Sequence, residues 1–179
     1  LEPTSINRDN VTLRDAQVSD AQAILDYMAT VLRESENLLR EPDEWTMTLE
    51  AEERFLQHAL DQPNHCMMVV EQNGEIIATG GYHGSMLKRL RHRVSLGISV
   101  EQAYHNQGIG RQLMTALIER AKSHGIRTIE LDVRSDNEAA IHLYHSLGFE
   151  DEGIKTAAFY ASGGYHNLTL MALHLKENI

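Results

Sequence analysis

The segment His105-Asn106-Gln107-Gly108-Ile109-Gly110-Arg111 constrains this chain more than any other. It lies between an alternating apolar strand, Val94 to Val100, and a long amphipathic stretch that reads as a helix from Gly108 to His124. A glycine-rich turn at a helix start leaves several backbone N–H groups unpaired, and the positive end of the helix dipole adds to their pull on an anion. The segment therefore reads as a diphosphate cradle. Two familiar phosphate loops are excluded. A P-loop would need Lys-Ser/Thr after its second glycine, where Arg111-Gln112 stands. A dinucleotide fingerprint would need a third glycine at Leu113 and a parallel strand-helix repeat upstream.

The rest of the pattern describes a mixed α/β sheet. Val11 to Arg14 alternates like a first strand, and Ser19-Asp20 offers an N-cap to a helix reaching about Glu36, with Ala23, Ile24, Tyr27, Met28 and Val31 inward. Pro42 marks a loop, and a second helix is expected over Leu49 to Leu60. Cys66 to Glu71 and Glu75 to Tyr82 form a hairpin across Asn73-Gly74. After the glycine turn, the helix carries Ile109, Leu113, Ala116, Leu117 and Ala121 on one stripe and stops at Gly125. A strand follows at Thr128 to Val133. Ser135-Asp136-Asn137-Glu138 has capping-box spacing for a helix burying Ala140, Leu143, Tyr144 and Leu147. Strands near Phe149 to Thr156 and Leu168 to Leu175 close the chain, with Phe159 to Tyr165 reading as a hairpin turn. Strands interleaved with late helices imply α/β architecture.

At 179 residues with no linker-like stretch, the chain is expected to be one domain. Its single cysteine, Cys66, excludes an internal disulfide. No apolar run approaches a membrane span and no signal-peptide pattern opens the chain, so a soluble, cytoplasmic protein with no membrane partner is expected. The first residue is Leu1 rather than methionine, as in a processed or trimmed chain. A net charge of −10 disfavours nucleic acid as a partner, and Lys88 to Arg93 reads as a solvated basic loop. His142 and His145 lack the third ligand that a metal would need, so no metal is expected.

Two motifs together resemble the GNAT superfamily of acyl-CoA-dependent N-acyltransferases. The first is the strand Ile98-Ser99-Val100 leading to His105-Asn106-Gln107-Gly108-Ile109-Gly110, similar to the family's Arg/Gln-x-x-Gly-x-Gly/Ala. The second is Asn137 to Phe149, similar to Asn-x-x-Ala-x-x-x-Tyr-x-x-x-Gly-Phe. The resemblance runs over about residues 11 to 175 and is strongest from Val94 to Phe149. It implies the GNAT fold, a mixed and largely antiparallel twisted sheet flanked by helices, with acetyl-CoA as cosubstrate. His105 departs from the motif's arginine or glutamine. It is expected to weaken one side-chain contact, or make it pH-dependent, without abolishing a cradle built of backbone N–H groups. Arg111 and Arg134 are either cationic contacts to the cofactor or solvated surface charges.

By the same resemblance, the Ile98-Ser99-Val100 edge pairs with the pantetheine amides and polarises the acetyl carbonyl, and Asn137 hydrogen-bonds the pantetheine arm. Tyr144 protonates the departing thiolate. Asn137 and Tyr144 lie on nearly one helix face, about 10 Å apart along the axis, which suits an extended arm. The residues' plainer readings are a helix cap and a core aromatic. The strand offers only Ser95, Gly97 and Ser99 where many members carry a catalytic glutamate. Asp132 matches the glutamate that one branch of the family places before Val-Arg-x-x-Asn, leaving it, a water relay, or a purely solvent-facing role open. The implied activity is acetyl transfer to a primary amine in a ternary complex, with a non-catalytic acyl-CoA-binding module or a longer-chain acyltransferase as alternatives. Glu34, Glu36, Glu41, Asp43 and Glu44 would favour a cationic acceptor, and would equally suit a solvated acidic helix. Oligomeric state stays open, a homodimer being common among the proteins it resembles.

Overall fold

The computed structural model describes residues 11–175; Leu1, on which the expectation of a trimmed chain rests, lies outside them. The elements run β1 (Val11–Asp15), α1 (Ala21–Glu34), α2 (Leu49–Asp61), β2 (His65–Gln72), β3 (Glu75–Gly84), β4 (Arg93–Val100), α3 (Ile109–Ser123), β5 (Thr128–Arg134), α4 (Glu138–Ser146), β6 (Glu150–Ala161) and β7 (Gly164–His174). The strands form one seven-stranded sheet in the order β1-β2-β3-β4-β5-β7-β6. Every neighbouring pair is antiparallel except β4 and β5. A parallel pair needs a crossover connection, and α3 provides it.

Helices cover both faces. Under α3, Leu113, Met114, Leu117 and Ala121 are fully buried against Val70, Ala78, Ile129 and Met171. On the other face a smaller core joins Ala21 and Ile24 of α1 and Leu56 of α2 to Val69 of β2. Inward positions thus alternate along β2, as a sheet covered on both faces requires. Among the described residues, no helix is long and apolar enough to cross a membrane.

Several local expectations need correction. Ala23 is exposed, because the buried stripe of α1 is centred on Ile24, Tyr27 and Val31 and takes in Leu25 and Leu32 instead. In α3 the stripe also takes in Met114 and Ile118, while Ala116 is only half-buried. The cap of α4 is Asn137, its Oδ1 accepting from Ala140 N at 3.2 Å, while the Ser135 hydroxyl bonds Thr169 at 2.9 Å. Ala140, Leu143, Tyr144 and Leu147 pack against the core but none is fully buried. β6 continues to Ala161, well past Thr156. Its alternation is broken by a register shift between Lys155 and Phe159, where Ala157 has φ +50°, and this hides the strand from a period-two reading.

Candidate active site

β4 and β5 pair only at their starts, Arg93 to Ser95 against Thr128 to Glu130. Beyond that, β4 stays bonded to β3 as far as Val100 and β5 to β7 as far as Arg134. The sheet therefore opens into a V-shaped cleft, with Ile98, Ser99 and Val100, all half-buried, on one unpaired edge. An extended ligand carrying amides can satisfy such an edge as a further strand would.

The cleft opens toward the glycine turn. Asn106 has φ +60° and Gly108 +82°, so the chain reverses through two left-handed residues before α3 begins. The first helical bond runs from Gln112 N to Gly108 O at 3.0 Å, and no side chain caps the helix. The N–H groups of Ile109, Gly110 and Arg111 thus lack intrahelical partners. A Cβ on Gly110 would stand 3.6 Å from Ile98 and Leu143 and 3.8 Å from Val100. Those are ordinary contacts, so the protein itself does not require glycine there, and the three neighbours show that α3, β4 and α4 converge on this point. Gln107 donates to Ala103 O at 2.9 Å, and its Oε1 is buried without a partner among the described residues. The exposed edge and open helix start fit an anion carried on an amide-bearing arm.

The side chains expected to assist make different contacts. His105 Nε2 lies 2.9 Å from the Val100 carbonyl, so the ring folds back on the end of β4. Arg111 is exposed and donates to Ser146 Oγ at 2.7 Å, linking the first turn of α3 to the last turn of α4. Arg134 is neither a solvated charge nor free for a ligand. Its fork bonds Asp136 at 2.7 and 2.9 Å, Nη1 reaches the Glu36 carbonyl at 3.1 Å, and the guanidinium carbon stands 5.6 Å from the Phe159 ring centroid.

Asn137 is the cap that its plainer reading describes, and its amide NH₂ makes no hydrogen bond among the described residues. Tyr144 packs beside Phe149, ring centroids 5.8 Å apart, and its hydroxyl has no hydrogen-bond partner among the described residues. Burial pushes the Tyr144 phenol above its ordinary value, which keeps it protonated. Asp132 lies on the opposite face of β5 from buried Leu131 and Val133, and Lys155 Nζ stands 2.7 Å from its Oδ2.

One feature on the α1 side escaped the sequence. Tyr27 donates to Ser99 Oγ at 3.0 Å, and Thr79 Oγ1 lies 3.2 Å from the same oxygen, making a hydroxyl chain beside the unpaired edge. Burial raises the Tyr27 phenol strongly. Helical spacing marked Tyr27 as inward but could not reveal a partner 72 positions away.

The sequence model of the acetyltransferase (GNAT) family matches residues 30–149, which include the unpaired edge, the cradle and α4. The chain belongs to the GNAT acetyltransferase family. Among GNAT relatives, it is 40% identical over 79 residues to a [ribosomal protein bS18]-alanine N-acetyltransferase of Escherichia coli (strain K12), a match covering 44% of this chain and 53% of that one. The chain thus spans about half the length of the first curated relatives it matches. An L-amino acid N-acyltransferase of the same organism is 29% identical over 112 residues, covering 62% of this chain and 65% of that one. A crystal structure of a GNAT-family acetyltransferase from Streptococcus pneumoniae superposes with a TM-score of 0.90 at 29% identity, over 92% of this chain and 99% of that one.

Proposed function

We propose that this protein transfers the acetyl group of acetyl-CoA to a primary amine by direct attack in a ternary complex. The observation that carries the reading is the cleft between β4 and β5 opening onto an uncapped helix start. The N–H groups at Ile109 to Arg111 hold the diphosphate, and the edge at Ile98 to Val100 holds the pantetheine amides, with one of its N–H groups polarising the acetyl carbonyl. The amine nitrogen forms the new C–N bond as the C–S bond breaks, and Tyr144 gives its proton to the sulfur. The Tyr144 hydroxyl is suited to this, since burial keeps it protonated and no group among the described residues competes for it.

The proton lost by the amine goes to water, with Asp132 as the assisting carboxylate once the half-exposed Lys155 swings aside, and the Tyr144 phenolate takes a proton back from solvent. Cys66 takes no part. It is buried in β2, and burial pushes its thiol up to about 11, so an acyl-thiol intermediate has no nucleophile.

The lysine on Asp132 also favours a second reading, an acyl-CoA-binding module that does not catalyse. CoA thiol release with pooled polyamines, amino acids, peptides and aminoglycosides separates the two. Transfer predicts release dependent on one pool, and Tyr144→Phe lowering turnover by about 10²–10⁴ with CoA affinity unchanged. Thermal stabilisation by acetyl-CoA with no release from any pool would favour the binding module.

A further inference from the structure

On the face covered by α1, the two halves of the sheet are tied together again across the cleft. α1 belongs to the β4 half, through Tyr27 on Ser99 and through Glu34, whose carboxylate accepts the Gln102 N–H at 2.9 Å. Two residues later, Glu36 reaches the other half twice. Its carbonyl accepts from Arg134 Nη1 at the end of β5, and its carboxylate accepts the hydroxyl of Ser162 in the β6–β7 turn. The Arg134 side chain is only 10% exposed and its fork is filled by Asp136. His166 braces the group from β7, with Nδ1 3.0 Å from Asp136 and Nε2 3.2 Å from the Ala161 carbonyl. All three guanidinium nitrogens are thus used, in a clasp whose partners Glu36, Asp136 and Ser162 lie at the surface.

We propose that the Glu36–Arg134–Ser162 clasp limits the acceptor to a small amine, about the size of a free amino acid, with Arg134 as its positioning residue. The inference rests on the acetyltransferase reading. With the cofactor arm on the unpaired edge of β4 and its diphosphate at α3, the amine must approach from the α1 face, and whatever it is attached to must leave by that face. An extended peptide would need the space between the halves left open, and there Glu36 is bonded to both Arg134 and Ser162. A small amine needs no such space.

The test compares CoA release with free L-amino acids and with N-terminal hexapeptides, in the wild type, Arg134→Gln, Arg134→Lys and Ser162→Ala. Hydrogen exchange over residues 35–48 and 157–163 is followed in the same proteins. The wild type should favour amino acids. Arg134→Gln should raise the peptide-to-amino-acid ratio of kcat/KM about tenfold, through peptide KM, and Ser162→Ala, at an exposed turn, about threefold. Arg134→Lys keeps the charge but not the fork and should fall between the wild type and Arg134→Gln. CoA affinity should not move, and both segments should exchange faster. A wild type that acetylates peptides as readily as amino acids overturns the substrate class and leaves the acetyltransferase standing. Unchanged exchange in Arg134→Gln overturns the clasp whatever the activity. No release from any amine overturns the acetyltransferase reading, and the substrate class falls with it.

Discussion

α3 buries six side chains, Ile109, Leu113, Met114, Leu117, Ile118 and Ala121, whereas α4, which meets the first turn of α3 at the cleft, buries none. The inner face of α4, from Ala140 to Leu147, is only partly covered by the core. On the proposed reading, the two helices make different contributions to one site. α3 offers backbone N–H groups, whose direction is fixed only if the helix cannot shift, and its packing holds it in place. α4 offers side chains, Asn137 and Tyr144, and the partly bare face beneath them is what a ligand lying in the cleft would cover.

The same truncation on each helix should break or sustain this contrast most clearly. Leu117→Ala, at a fully buried position, should cost about 2–5 kcal/mol in urea unfolding, and Leu143→Ala roughly 1 kcal/mol. Equal costs would mean that α4 is as firmly seated as α3. Gly108→Ala should come next, at about 1–2 kcal/mol, because φ is +82° with open space around the position, so the penalty is backbone strain alone. Calorimetry should show CoA binding weakened with it, since the strain acts on the turn that aims the N–H groups. A smaller effect is expected for Asp132→Asn: kcat/KM at pH 7 should fall about fivefold and recover by pH 9, where solvent takes the proton unaided. Undiminished activity at pH 7 would remove Asp132 from the mechanism.

The smallest effect lies on α2, away from both helices, and sharpens the contrast as a control. Glu52 is 3% exposed, and burial raises its carboxyl above the ordinary value. The fold thus favours the protonated form, and that contribution is present at low pH and lost as pH rises through the raised value. Glu52→Gln should therefore add on the order of 1 kcal/mol at pH 7 and little at pH 4, read as melting temperature at the two pH values. CoA affinity should stay the same.

Much of the proposed cofactor side was legible in the sequence because its determinants are local. The left-handed turn needs Gly108, the helix stripe recurs at 3.6 residues, and the motif from Asn137 to Phe149 is a single segment. The proposed acceptor side was not, because its determinants are contacts between distant residues. Glu34 and Glu36 read as acidity that favours a cationic acceptor or merely solvates a helix, yet one holds the Gln102 N–H and the other bridges to Ser162. Arg134 read as either a cofactor contact or a surface charge, and only its partners at positions 36 and 166 reveal a clasp. His105 stands at the motif's first position in place of arginine or glutamine, and its ring lies against the Val100 carbonyl. Such pairings follow from how the sheet halves are juxtaposed, and no periodicity encodes them.

The central claim, that a firmly packed α3 and a lightly covered α4 hold one CoA molecule between them, is tested most directly by hydrogen exchange with and without CoA. The account predicts new protection at residues 96–100, 108–112 and 138–147, with the already protected interior of α3 unchanged. Protection confined to other parts of the chain, or no change along α4 at saturating CoA, would contradict it.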